Sequence, residues 1–228
     1  MLNWRKHKVL IVQILKEIYE DKFLRICLGF QGGTACHFFY DLPRYSVDLD
    51  FDLIGLDKSE NIFYIFPKIL NKYGVLKEKR IKRNTIFFLL SYGESEHNLK
   101  VEISTRDLGN QFCLKNYLGI AMNVMVEEDM FANKLIALVD RQKFASRDLF
   151  DVHYFFSQNW DINEEIIFKN TGKSLEKYLR DCLLILPEYK NKNIMQGLGQ
   201  LIDEKQKSWV KTKLVDDLIF LIKVYLGE

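Results

Sequence analysis

Three aspartates alternate with apolar residues over Asp48-Leu49-Asp50-Phe51-Asp52-Leu53. Read as a strand, period two puts the three carboxylates on one face and Leu49, Phe51 and Leu53 on the other. Carboxylates this close repel at neutral pH, and burying one without a partner is costly. A solvent-facing edge strand would relieve the repulsion. So would hard divalent cations such as Mg²⁺, which take oxygen ligands and can be shared by side chains of one strand face. Upstream stands Gly32-Gly33-Thr34. A tight turn explains a glycine pair alone equally well. Glycines also let backbone N–H groups approach phosphate oxygens, and the N-terminus of a following helix adds a favourable dipole. Followed by Ser46-x-Asp48-x-Asp50, the pair becomes more specific: the layout is that of a phosphate cradle beside a metal site.

Elements must position these groups. Trp4, Val9, Ile11, Val12, Leu15, Ile18 and Tyr19 recur at helical spacing over residues 4–20. Phe23 to Phe30 reads as a strand. Thr34 is expected to cap a helix over Ala35 to Tyr40, ended by Leu42-Pro43 because the residue before proline avoids the helical region. A helix over Asn61 to Tyr73 and strands near Val75–Arg80, Thr85–Tyr92 and Leu99–Thr105 follow, with Gly93 to Asn98 as a hairpin connection. From Val126 the pattern turns helical. Glu127-Glu128-Asp129 stands where a helix N-terminus favours acids, and breaks are expected near Ser146, Asn159, Gly172 and Pro187. The expected division is an α/β domain over residues 1–120 and a helical domain over residues 121–228.

The bulk numbers fit this outline. A chain of 228 residues, 48% hydrophobic and 28% charged, can bury a substantial core. Cys27, Cys36, Cys113 and Cys182 show no zinc-ligand spacing and read as reduced thiols of a cytoplasmic protein. No apolar run suits a membrane span, and Lys16, Glu17, Glu20 and Asp21 interrupt any signal-peptide layout. Net charge is only +2, but Lys68, Lys72, Lys77, Lys79, Arg80, Lys82 and Arg83 crowd one stretch, opposed there by Glu78. Such a cluster is a solvated surface or a path for a polyanion such as RNA. Thr171-Gly172-Lys173-Ser174 lacks the earlier glycine and strand of a P-loop and reads as a helix break and cap. His37 reads as a packing residue.

Gln31-Gly32-Gly33-Thr34-Ala35, Tyr40 and Leu42-Pro43-Arg44-Tyr45-Ser46-x-Asp48-Leu49-Asp50-Phe51 together resemble the AbiEii/AbiGii family of nucleotidyltransferase toxins, within the DNA polymerase β-like nucleotidyltransferase superfamily. The resemblance is strongest over residues 30 to 52. It resumes at Lys134 and through Arg147-Asp148-Leu149-Phe150-Asp151. It implies an α/β (α+β) fold, a nucleotidyltransferase-like mixed sheet with flanking helices followed by a helical C-terminal half. It further implies Mg²⁺ or Mn²⁺ as cofactor, an NTP substrate, RNA (particularly the acceptor end of tRNA) as target, and a cognate antitoxin in a bacterial toxin–antitoxin or phage-defence module.

The superfamily mechanism asks for a third carboxylate on a neighbouring strand. Glu102 supplies it within Leu99-Lys100-Val101-Glu102-Ile103-Ser104, sharing its face with Lys100 and Ser104; Glu94, Glu96 and Asp107 fall in turns. Asp48, Asp50 and Glu102 are thus the expected metal-binding and catalytic residues. Gly32, Gly33, Thr34 and Ser46 are expected to bind nucleotide, and the resemblance places Lys134, with Arg141 on the same helix face, at the triphosphate. Asp148 and Asp151 share a helix face and either brace the nucleotide-holding segment or simply form ion pairs. Two other readings stay open: a non-catalytic module of the same fold that binds a nucleotide or a partner, and a phosphotransferase.

Overall fold

The computed structural model describes residues 3–55, 59–93, 98–140 and 144–228. The chain resolves into two compact units. The first comprises residues 1–41, 46–107 and 112–125; the second comprises residues 42–45, 108–111 and 126–228.

The first unit is a seven-stranded mixed sheet with helices against it. Its strands are β1 (Leu28–Gln31), β2 (Leu49–Leu53), β3 (Val75–Lys82), β4 (Thr85–Ser91), β5 (Leu99–Ser104), β6 (Phe112–Tyr117) and β7 (Ile120–Met125), in spatial order β3-β4-β5-β2-β1-β7-β6. β2 lies parallel to β5, and β1 parallel to β7; the other neighbours are antiparallel. The helices are α1 (Trp4–Glu20), α2 (Leu24–Cys27), α3 (Gly32–Phe39) and α4 (Ser59–Leu70). One sheet face carries Leu49, Phe51, Ile86, Phe88, Val101 and Ile103, all fully buried. Phe66 of α4 stacks on Phe88, and Phe30 of β1 packs against both Phe39 of α3 and Phe51.

Two local readings of the sequence are corrected here. Residues 23–30 are not one strand. The Asp21 carboxylate accepts the backbone N–H groups of Phe23 and Leu24, which starts the short helix α2 before the chain extends into β1. Strands β6 and β7 were not anticipated, although Leu118-Gly119 turns them into a hairpin carrying the sheet to Met125. Outcomes that agree with expectation include α1, α4 and the β4–β5 pairing.

The second unit is helical: α5 (Glu127–Asp140), α6 (Ser146–Ser157), α7 (Glu164–Thr171), α8 (Leu175–Tyr189), α9 (Glu204–Thr212) and α10 (Leu214–Leu226). Phe131, Leu135 and Leu138 form a buried stripe of α5. Gly172, at φ +69°, ends α7, and the Ser174 side chain caps α8. The break expected near Pro187 falls two residues later, because α8 runs through the proline to Tyr189. Among the described residues no helix is long and apolar enough to cross a membrane.

Candidate active site

The pairing of β2 with β5 brings the predicted acids together. Asp50 stands directly opposite Glu102, between the partners Leu49↔Val101 and Phe51↔Ile103. Paired residues of neighbouring strands share a face at a spacing of about 4.8 Å. Asp48 precedes the strand on the same face, and the Lys100 ammonium lies 3.9 Å from its Oδ2 as a local counter-charge. Asp52 behaves differently. It is 4% exposed, and Gln31 Nε2 donates to its Oδ1 at 2.8 Å, so this carboxylate ties β2 to β1. Among the described residues no three His, Cys, Asp or Glu side chains converge as a ready-made cation cage. Asp48, Asp50 and Glu102 line an open face side by side.

The glycine segment closes on this row from the other side of β2. Helix α3 begins at Gly32, with Gln31 as its N-cap and no side-chain hydrogen bond to the first turn. Thr34 is therefore not the cap. It sits inside the first turn, 1% exposed, and its hydroxyl donates to the Asp48 carbonyl at 2.5 Å. Its hydroxyl thus staples α3 to the start of the acidic strand, while the backbone N–H groups of the first turn are the donors that a helix N-terminus can offer an anion. Gly32 has φ +76°, and a Cβ there would stand 2.5 Å from Asp50 Oδ2 and 2.9 Å from Asp50 Cβ. Only glycine lets the helix start this close to the carboxylate. Gly33 is buried within the turn, and Ser46 lies half-buried ahead of the strand. Sheet order fixes the sequence across the face: Gly32, then Asp50, then Glu102. Oxygen-only donors of full negative charge beside an uncapped helix start fit a hard divalent ion and its phosphate.

The remaining predicted residues belong to the second unit. Lys134 of α5 reaches Asp148 Oδ1 and Asp151 Oδ2, each at 2.9 Å. Arg44, which the sequence reading quoted but gave no role, completes the cluster. Its Nε and one terminal nitrogen donate to the two oxygens of Asp151, both at 2.6 Å, with Arg44 3% and Asp151 0% exposed. Two positive and two negative charges thus compensate one another, three of them buried and Lys134 half-buried. Burial alone would raise the Asp151 carboxyl, but Arg44 and then Lys134 outweigh it and hold it below the usual carboxylate range. Burial likewise opposes the Lys134 ammonium, but Asp148 and Asp151 reverse that and hold it above the ordinary lysine value. Tyr45 N–H to Leu201 O at 2.9 Å and Gln206 Nε2 to Pro43 O at 2.6 Å also fasten residues 42–45 within this unit. Arg141 lies outside the described residues.

Comparisons with known proteins bear on the family and the fold. The model of the family "Nucleotidyl transferase AbiEii toxin, Type IV TA system" matches residues 13–208. A solved Helicobacter pylori structure assigned as a candidate nucleotidyltransferase superposes with TM-score 0.62 at 21% identity, over 97% of this chain and 93% of that one. The JHP933 protein of Helicobacter pylori superposes with TM-score 0.58 at 19% identity, over 100% of this chain and 97% of that one. These likenesses show a nucleotidyltransferase fold. A search of curated proteins finds no match.

Proposed function

Because the chain belongs to the AbiEii nucleotidyl transferase toxin family, we propose that it transfers a nucleoside monophosphate from an NTP to an acceptor hydroxyl and releases pyrophosphate. The observation that carries this reading is the register Asp50↔Glu102 beside Asp48, with Gly32 closed against the Asp50 carboxylate. Asp48 and Asp50 hold Mg²⁺ or Mn²⁺, and Glu102 completes the site on the β5 side. Bound there, divalent ions neutralise phosphate charge and make the acceptor hydroxyl easier to deprotonate.

The chain's own residues do the rest. Backbone N–H groups at Gly32, Gly33 and Thr34 receive phosphate oxygens on the β1 side of Asp50, with Ser46 nearby on the approach to Asp48. Glu102 faces the other side, where it orients the acceptor hydroxyl by accepting its hydrogen bond. The acceptor oxygen gives up its proton to solvent and forms a bond to the α-phosphorus as the bond to the β-phosphate oxygen breaks, and pyrophosphate departs. The family resemblance alone assigns Lys134 and Arg141 to the triphosphate. Since Asp148 and Asp151 already compensate Lys134, phosphate contact requires it to exchange one of them. The acceptor is RNA, with the acceptor end of tRNA the leading target. The cellular outcome is arrested growth in the cytoplasm, relieved by an antitoxin.

Incubation with each radioactive NTP, Mg²⁺ and total RNA tests this. The wild-type chain should label RNA, and Asp50→Asn and Glu102→Gln should each lose about a hundredfold or more, as removal of charge-stabilising groups does. Full labelling by both variants sinks the assignment. Mass spectrometry of the product distinguishes an added nucleotide from a lone phosphate, the signature of a phosphotransferase. NTP binding with no product from any acceptor favours a binding module.

A further inference from the structure

The row containing Asp50 and Glu102 does not end at β5. Glu102 pairs with Phe87 of β4, and Phe87 pairs with Arg80 of the edge strand β3. Asp50, Glu102, Phe87 and Arg80 therefore stand side by side on one sheet face. Two residues along, Lys82 occupies the same face. The Arg80 guanidinium lies 5.0 Å and the Lys82 ammonium 4.9 Å from the centre of the Phe87 ring, so both cations are drawn over an aromatic that is itself only 6% exposed. Lys79, just before Arg80 in sequence, points the other way and packs on Phe63 of α4 at 5.0 Å. Arg83 at the β3–β4 turn and Arg106 after β5 are both exposed, and the Asn84 amide, turned so that its oxygen faces Arg106 Nε at 3.2 Å and its nitrogen the Arg83 carbonyl at 3.0 Å, links the two segments. Glu78 is the acidic residue set against this group, 2.8 Å from Arg80 Nε.

Along this face Asp50 and Glu102 lie on β2 and β5, with Lys100 among them, and cations outnumber the single acid Glu78 on β3 and its turn. We infer that the Arg80–Lys82 face of β3, with Arg83 and Arg106 at its end, binds the phosphate backbone of a single-stranded RNA whose 3′ hydroxyl lies at Glu102. The inference rests on the transfer reading above for the identity of the site it serves. Three arguments support it. Arg80 is about three strand spacings, roughly 14 Å, from Asp50, too far to serve phosphates cradled at Gly32, which lies on the opposite side of β2. Glu102 is about two spacings, roughly 10 Å, from Arg80, within reach of the first nucleotides behind a reacting end. Arg80 and Lys82 are about 7 Å apart along the strand, a step that suits successive phosphates of an extended chain, and a cationic groove tracking a backbone is how single strands are held without regard to sequence.

The test measures RNA binding without NTP, on the full chain, by fluorescence polarisation of a 5′-fluorescein single-stranded RNA of mixed sequence with a free 3′ hydroxyl. Arg80→Glu combined with Lys82→Glu should weaken binding about tenfold or more at low salt. It should also reduce the slope of log K against log salt by about 1.4, two lost phosphate contacts at about 0.7 each. Lys79→Glu makes one such charge reversal on the opposite face of the same strand and should stay within about twofold of wild type on the same scale. Thermal melting of all variants checks the fold. Should the reversed pair melt early, Lys82→Gln with Arg83→Gln asks the same question more gently and should weaken binding in the same direction. The inference is overturned if wild type does not bind the probe, if the β3 variants bind as wild type does, or if Lys79→Glu weakens binding equally. Salt-dependent binding that needs Arg80 and Lys82 upholds the RNA face even if no nucleotide is ever transferred. Labelling of RNA at unchanged KM in the β3 variants removes the face and leaves the transfer reading standing.

Discussion

Replacing Asp151 with Asn isolates the charge of the buried cluster while keeping its shape. In the native unit Arg44 and Lys134 are balanced by Asp148 and Asp151. The variant leaves two cations facing Asp148 alone, in a place where Arg44 and Asp151 side chains are 2% and 0% exposed. Stranding a charge by removing one partner of a buried pair costs about 3–5 kcal/mol, a large share of the roughly 5–15 kcal/mol that holds a domain folded. At a urea slope of about 2 kcal/mol per molar, the midpoint should fall by about 2 M. Trp209 reports on the right region, since its ring packs against Phe150 and His153 of α6 and its Nε1 donates to Asp217 at 2.7 Å. The double variant Arg44→Met with Asp151→Asn leaves the neutral pair Lys134–Asp148. It should be less damaged than the two single changes added together, with a coupling of about 2–3 kcal/mol.

The pH dependence follows from the same shifts. Asp151 is depressed in the folded state, so its contribution is intact above the unfolded carboxyl value of about 3.9 and fades as pH falls through the lower folded value. Lys134 is raised, so its contribution is intact below about 10.4 and fades only as pH climbs past the folded value. The gap between wild type and Asp151→Asn should therefore be level from about pH 5 to 9 and narrow in acid. A gap under about 1 kcal/mol, or one that widens on acidification, would refute the picture of a compensated buried cluster.

Three further outcomes are expected. Gly32→Ala should cost about 1–2 kcal/mol of stability for a side chain at positive φ. Its Cβ should also displace the Asp50 carboxylate enough to lower RNA labelling about a hundredfold; labelling within a factor of about two of wild type would show that the cradle tolerates a side chain. Thr34→Val removes the hydroxyl bond to the Asp48 carbonyl and should cost about 1 kcal/mol in urea denaturation; a neutral result would mean the staple is dispensable. Chelation with EDTA should abolish labelling, with recovery on adding Mg²⁺ or Mn²⁺ and not Ca²⁺, whose larger, irregular coordination suits this chemistry poorly; labelling that survives chelation would remove the metal from the reading.

What was legible in the sequence was what alternates. Asp48, Asp50 and Glu102 stood out because period two places them opposite apolar neighbours, and that same alternation sets the register that joins them. Arg44 was illegible because its partner lies 107 residues away, and nothing local announces that a lone arginine beside Pro43 is buried. The role of Thr34 was misread for a related reason: its bond runs to a backbone carbonyl on another element, while its sequence context resembles an ordinary helix cap. The strand β7 carried a readable signal in Ile120, Met122 and Val124, all buried at every second position, with Leu118-Gly119 as its turn. That signal was masked by proximity to the helical pattern from Val126. At residues 23–30, apolar content suggested a strand where the Asp21 cap decided for a helical turn.

Repulsion among acids on one face raises the question of what keeps them there. A slip of β2 by one residue against β5 would turn Asp50 inward and send Leu49 and Phe51 to the opposite face. Both are fully buried, and each is worth about 1.5–3 kcal/mol in burial, or roughly 3–6 kcal/mol together. Crowding two carboxylates at about 5 Å costs only about 1 kcal/mol in water and a few where solvent is partly excluded. The apolar face therefore fixes the register, and the acids follow regardless of whether a cation is present to relieve them. A site assembled this way keeps its acids on one face, half-buried, before any ligand arrives. Asp48→Asn or Asp50→Asn should accordingly leave urea stability unchanged or raise it slightly in metal-free buffer. A loss above about 1 kcal/mol in either variant would mean that these carboxylates hold the sheet together, and would remove the basis for treating them as groups kept for chemistry.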